Sequence, residues 1–205
     1  MTWIDVSIPL HAGVTVWPGD PPFEMLPAQR IASGAGCNTS LVRLSTHTGT
    51  HCDAPWHFEE DGARLHEVKP DVFFGKALLI GLPHVDVIGA ADLPAEQLPE
   101  RVLFKTRNSE HPADAPFRQD YVALAADTAA RLADDGVHLV GIDGPSVAPY
   151  KQPGQDTHHI LLRRGVFVVE GLRLAGFTAG RYDFIVLPLP LLNADGAPCR
   201  AFLGR

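Results

Sequence analysis

The sequence predicts an α/β protein on three observations. An Ala-rich stretch over residues 123–135 carries Leu124, Thr128, Ala129 and Leu132 at helical spacing. It is stopped by Gly136 and runs into an apolar segment, residues 137–143. A second pair follows the same plan: a short helix over residues 156–165, with Asp156 as N-cap and Gly165 as C-cap, then an apolar strand over residues 166–170 closed by Glu170. Helix, glycine and short apolar strand in succession make the repeating unit of an α/β sheet. Third, the 205 residues hold no internal repeat, low-complexity tract or long linker, so residues 1–205 read as a single domain with a mixed sheet and flanking helices.

The remaining elements follow in order. Residues 3–9 alternate apolar and polar and predict an opening strand. Trp17 precedes Pro18-Gly19-Asp20-Pro21, which is turn chemistry, and the ring reads either as a core plug or as an aromatic pocket wall. Residues 40–46 form a second strand, and residues 59–62 a polar turn. Residues 72–82 read as a buried strand bounded by glycines. A short helix or turn over residues 91–100, a strand over 101–106 and a Pro-rich loop over 107–118 come next. Residues 144–155, with two glycines and three prolines, form a loop long enough to suggest function. Two strands, residues 182–187 and 199–203, end the chain.

Composition narrows the function classes. A formal charge of −7 disfavours nucleic acid and anionic membrane surfaces as partners. No run of about 18 apolar residues predicts a membrane span. The N-terminus lacks the basic-then-apolar pattern of a signal peptide. Three dispersed cysteines, Cys37, Cys52 and Cys199, without a CxxC pair, argue against a disulfide framework and for a reducing cytoplasm.

Chemistry concentrates between Ser45 and Phe58. His47, His51, Asp53 and His57 all occupy odd positions, as do Gly49 and Pro55 between them. On a helix Asp53 would point away from the two histidines, and Gly and Pro oppose a helix there. An extended, Gly-kinked segment instead presents imidazoles and carboxylate on one side, with Cys52 on the other, as a metal cluster. A second cluster joins it by length arithmetic. His158 lies in the first turn of a seven-residue helix that climbs about 10 Å. The following strand, if antiparallel to the helix, returns about 13–16 Å. Glu170 would then come back beside His158. Taken singly, a buried Glu is more often an ion-pair partner and a first-turn His a surface residue; the His47–His57 spacing is what makes them candidates. His159 adjoins the same cluster. Imidazole and carboxylate without thiolate suit zinc, with manganese or iron as alternatives, and carboxylates can bridge two ions.

His47-Thr-Gly-Thr-His51-Cys-Asp53-Ala-Pro55-Trp-His57-Phe58 resembles the HxGTHxDxPxHF signature of the metal-dependent cyclase-like hydrolases, and among them the kynurenine formamidase branch. Val16-Trp17-Pro18-Gly19-Asp20, Gly141-Ile-Asp143, Pro145-Ser146, His158-His159, Val169-Glu170-Gly171-Leu172 and Ala197-Pro198-Cys199-Arg200-Ala201 occur in the family's order, so the resemblance spans nearly the whole chain. It implies a swivelling β/β/α fold, a homodimer and two zinc ions. One ion is held by His47, His51 and Asp53 and the second by His158, with Asp53 and Glu170 bridging. It further implies that His57 is the general acid/base, that Trp17 lines the substrate pocket, and that N-formyl-L-kynurenine is cleaved to L-kynurenine and formate in tryptophan degradation. The loop over residues 144–157 departs from the more acidic loop of that branch, visibly at Gly144 and Ala148. This keeps two rivals in play: a relative that opens a lactam or lactone ring such as isatin, and a non-catalytic metal- or ligand-binding protein.

Overall fold

A computed structural model describes residues 1–151 and 156–205. Its strands are β1 (Trp3–Asp5), β2 (Glu24–Gln29), β3 (Thr39–Arg43), β4 (His51–Asp53), β5 (Phe74–Leu82), β6 (Val87–Ile88), β7 (Arg101–Thr106) and β8 (Ala123–Leu124). Helix α1 (Ala126–Asp134), β9 (Leu139–Ile142), helix α2 (Thr157–Arg163), β10 (Phe167–Glu170), β11 (Gly180–Pro188) and β12 (Gly196–Gly204) complete it. The α/β class and the mixed sheet are as the sequence predicts.

The main sheet runs β1-β12-β11-β5-β7-β9-β10-β4, and β4 pairs back onto β12, so the sheet curls until it closes. The strands β5, β7, β9 and β10 are parallel neighbours, while β11, β12, β4 and β1 join antiparallel. Parallel strands need crossovers, and α1 and α2 lie in the last two of them. Both faces of β7, β9 and β10 are buried. Ala77, Leu79, Leu103, Leu139 and Val169 point inside the curl with Cys52, Phe184 and Leu203. Val102, Phe104, Val140, Ile142 and Val168 point outward under Ala129, Leu132, Leu161 and Leu162 of the helices. Burial on two faces is why these strands read as continuous apolar runs rather than alternating ones.

Several boundaries differ from expectation. β1 stops at Asp5 because its own carboxylate accepts the Ser7 N–H at 2.9 Å and turns the chain. Residues 70–73 form a 3-10 turn opened by Pro70, so β5 starts at Phe74, and its outward positions are only partly buried. Ala123 and Leu124 leave the expected helix to pair with β6; tertiary pairing overrides alanine's helical preference. The expected buried stripe nevertheless holds, with Leu124, Thr128, Ala129 and Leu132 all inaccessible to solvent. Asp156 is the N-cap residue of α2 as expected, though its side chain makes no capping hydrogen bond, and Gly165 ends the helix at φ +73°. Strand β2 went unread because Pro27 interrupts it; the ladder with β3 shifts register between Pro27 and Gln29. The suspected loop remains without helix or strand through Lys151, and its residues 152–155 lie outside the described residues.

Candidate metal centre and its cleft

The ligand candidates are placed mainly by strand register. In the antiparallel pair β4–β10, His51 stands opposite Glu170 and Cys52 opposite Val169. Residues directly opposite share a face, so His51, Asp53 and Glu170 project outward towards α2 while Cys52 and Val169 enter the inner core. The expected single extended segment is corrected in one respect. Only residues 51–53 are strand; residues 47–50 form a turn and residues 55–57 a 3-10 turn opened by Pro55. Gly49 makes the kink at φ +69°, and a Cβ there would lie 2.6 Å from Leu10 Cδ2. Gly171, at φ +71°, packs against the same turn: a Cβ on it would lie 2.6 Å from the Gly49 carbonyl oxygen. Thr50 Oγ1 ties the two loops by donating to the Gly171 carbonyl at 2.6 Å and accepting the Ile8 N–H at 2.8 Å.

Among the described residues, three groups of donors could hold an ion: His47, His51 and Asp53; Asp53, His158 and Glu170; and His47, His57 and Asp195. His158 Nε2 lies 3.0 Å from Glu170 Oε1, so helix and strand lengths do cancel as the arithmetic requires. His51 donates Nδ1–H to the Gly49 carbonyl at 2.9 Å, which turns Nε2 to the carboxylates; that atom lies 3.5 Å from Asp53 Oδ1 and 3.3 Å from Glu170 Oε2. Asp53 Oδ2 is buried without a hydrogen-bond partner among the described residues, with His158 Nε2 at 3.6 Å. An orphaned buried carboxylate oxygen is costly. Two donors sharing a tetrahedral zinc stand roughly 3.4 Å apart. The orphan, the converging imidazole nitrogens and these spacings therefore fit a divalent metal.

Charge within the cluster is strongly redistributed by these contacts. Burial works against a charged His47, but the hydrogen bonds its ring donates to Asp195 and Asp53 outweigh it and raise the imidazole to about 10. Burial likewise opposes an ionised Glu170, yet His158 and His51 hold its carboxyl below the usual range. Contact with Cys199, then burial, raises the Cys52 thiol, which agrees with its inward position and with its exclusion as a ligand.

His57 reaches the cluster by the 3-10 turn rather than along the strand. Its ring stacks on His47 at 3.8 Å between centroids. Burial lowers its pKa; Asp53 acts in the opposite direction and the charges of His47 and His158 reinforce the fall. His159 turns away to bond Glu59 at 2.5 Å and belongs to none of the three donor groups. Sequence reasoning missed two neighbours. Phe58 stacks on His158, 4.3 Å between centroids and 9° from parallel. Asp195 bonds His47 Nε2 at 2.9 Å and lies 3.7 Å from His57 Nδ1. Phe58 was legible as part of the signature; Asp195, 148 residues from His47, carries no local pattern.

A cleft of about 1050 Å³, mouth included, opens beside His47 and His51. Trp17 stands in its wall with Phe117 and Tyr121, ring centroids 5.2 and 6.4 Å away, and packs on Tyr150 at 5.5 Å. This placement favours the pocket-wall reading of Trp17 over the core plug. Residues 144–148 support both halves of the site. Val147 N–H donates to Glu170 Oε1 at 2.7 Å, and Tyr121 donates its hydroxyl to the Ala148 carbonyl at 2.7 Å. At Gly144 a Cβ would lie 2.6 Å from Asn108 Nδ2, so a side chain there is excluded unless Asn108 moves.

The curled mixed sheet, the imidazole–carboxylate cluster and the aromatic cleft together define a class, mixed-sheet α/β hydrolases with a metal-capable donor cluster. The family model described as putative cyclase matches residues 4–149, and the chain belongs to that family. It is 36% identical over 203 residues to the kynurenine formamidase of Bacillus cereus, covering 98% of this chain and 96% of that one. A solved potential metal-dependent hydrolase with cyclase activity superposes with a TM-score of 0.85 at 34% identity, over 98% of this chain and 96% of its own. Isatin hydrolase A of Labrenzia aggregata superposes with a TM-score of 0.85 over 98% and 93% of the two chains; its 21% identity is a likeness of fold alone. No helix among the described residues is long and apolar enough to cross a membrane.

Proposed function

We propose that this chain is a kynurenine formamidase, a hydrolase that cleaves the formyl C–N bond of N-formyl-L-kynurenine to give L-kynurenine and formate in tryptophan breakdown. The observation that carries the reading is the His–carboxylate cluster opening onto an aromatic cleft, in a chain 36% identical along its length to a kynurenine formamidase. His47, His51 and Asp53 would hold one metal ion, and His158 with Asp53 and Glu170 would hold a second; zinc suits these donors, and manganese is the alternative. A divalent metal bound there supplies Lewis-acid activation of water and of the formyl carbonyl at neutral pH.

The chain's own residues supply the rest. Trp17, Phe117 and Tyr121 would take the aryl ring against the cleft wall. His57, held neutral by burial, can accept the proton that water gives up on attack and return it to the departing aniline nitrogen. Asp195, 3.7 Å from Nδ1, faces the charge that forms on the ring in between. Water is consumed, and formate and amine are released. Apolar residues exposed on the β2–β3 hairpin, Met25, Leu26, Leu41 and Val42, favour a homodimer that covers them. Three free cysteines accord with a cytoplasmic setting, and residues 1–205 would act as one domain.

His57→Ala, with bound metal measured alongside, separates this reading from a non-catalytic binder. Formate release should fall on the order of 10²- to 10⁴-fold with metal retained; an unchanged rate would contradict the assignment. Cyclic amides and esters enter the same assay as the ring-opening alternative.

A further inference from the structure

We infer that Arg173 is a specificity residue that captures the carboxylate on the amino-acid end of the substrate. The inference rests on the formamidase reading and adds a residue to it. N-formyl-L-kynurenine is an aryl formamide whose ring carries, ortho to the formamide, a ketone chain ending in an α-amino acid. On that reading the aromatic wall takes the ring and the metal-capable cluster takes the formyl group. The carboxylate still needs a partner, in a protein whose formal charge is −7.

Beyond the His47–His51 cluster, the cleft offers three side chains able to carry positive charge: His111, Arg118 and Arg173. Arg118 is already committed. Its Nε and Nη2 both bond the Asp120 carboxylate, at 2.9 and 2.5 Å, so its charge is compensated and one edge of its guanidinium is filled. An imidazole such as His111 offers neither a permanent charge nor a two-pronged donor. The Arg173 guanidinium makes no hydrogen bond or ion pair with any described residue, while its backbone is firmly held. Its N–H donates to the Val6 carbonyl at 2.8 Å, and its neighbours Leu172 and Leu174 are buried in the inner core. That alternation turns Arg173 outward to the cleft lip, three residues beyond Glu170. A planar fork with a permanent charge, anchored at Cα and free at its tip, matches a carboxylate in two-point contact.

The test compares Arg173→Gln and Arg173→Lys with wild-type enzyme on two substrates: N-formyl-L-kynurenine, and 2-formamidoacetophenone, which keeps the aryl ketone and formamide but lacks the amino-acid end. Arg173→Gln should raise KM for the charged substrate about tenfold, the scale of one charge-assisted contact at a solvent-facing site. It should leave kcat and the neutral substrate nearly unchanged, and Arg173→Lys should recover part of the loss. Because the guanidinium makes no hydrogen bond or ion pair among the described residues, melting temperatures should match. Equal losses on both substrates, or none on either, overturn the anchor while leaving the formamidase reading intact. Wild-type, metal-loaded enzyme that cleaves neither substrate overturns both.

Discussion

The Nε2 of His47 lies 2.9 Å from Oδ2 of Asp195, and the Nδ1 of the same ring lies 2.9 Å from Oδ1 of Asp53. One imidazole is thus gripped at both nitrogens. If the Asp53 side of the ring turns to a metal, Asp195 fixes the tautomer and the plane from behind, as carboxylates do for metal-bound histidines. Asp195→Ala should weaken metal binding about 10- to 100-fold. Asp195→Asn, whose amide oxygen still accepts, should fall between. Titration of metal-stripped protein with zinc under a competing chelator checks this; unaltered affinity in both variants would remove Asp195 from the site.

Metal and proton should compete at His47. In the metal-free protein its folded pKa is raised from 6.5 to about 10, so the ring holds a proton at neutral pH. Its contribution to metal-free stability is fully present below pH 6.5 and lost as pH rises through about 10. A coordinating imidazole must be neutral, so zinc binding near pH 7.5 should release protons. Calorimetry in buffers of different ionisation enthalpy reads this directly: the observed heat should vary with the buffer, and a buffer-independent heat would contradict the coupling.

Thr50 joins the loop of His47 and His51 to the loop after Glu170, donating to the Gly171 carbonyl and accepting from Ile8. Thr50→Val keeps the shape and leaves the buried Gly171 carbonyl and the part-buried Ile8 N–H unpaired. It should cost about 2 to 4 kcal/mol in denaturant unfolding, since each stranded buried group costs about 1 to 3 kcal/mol. A change within about 0.5 kcal/mol, the size of a neutral surface substitution, would mean the two loops are held by packing alone.

How much of this was legible follows from what kind of contact builds each part. Strand β7 matches its expected range at both ends because burial on both faces leaves an unbroken apolar run. His51 and Asp53 share a face through the two-residue period alone, and His158 meets Glu170 because a short helix and a short strand nearly cancel. Asp195 was not legible. It enters through the pairing of β12 with β4, a closure between segments about 145 residues apart that leaves no local signal. Strand β2 was hidden by Pro27, and the start of α1 by alanines that prefer a helix yet pair with β6. Periodicity registers local repeats; it is blind to which distant edge a strand will find.

Formate release from N-formyl-L-kynurenine, followed as zinc is removed and restored, tests the central claim most directly. The account predicts release by the zinc-loaded protein, loss on stripping by a chelator, and recovery on adding zinc back. A fully loaded, folded protein that yields no formate from this substrate would contradict it.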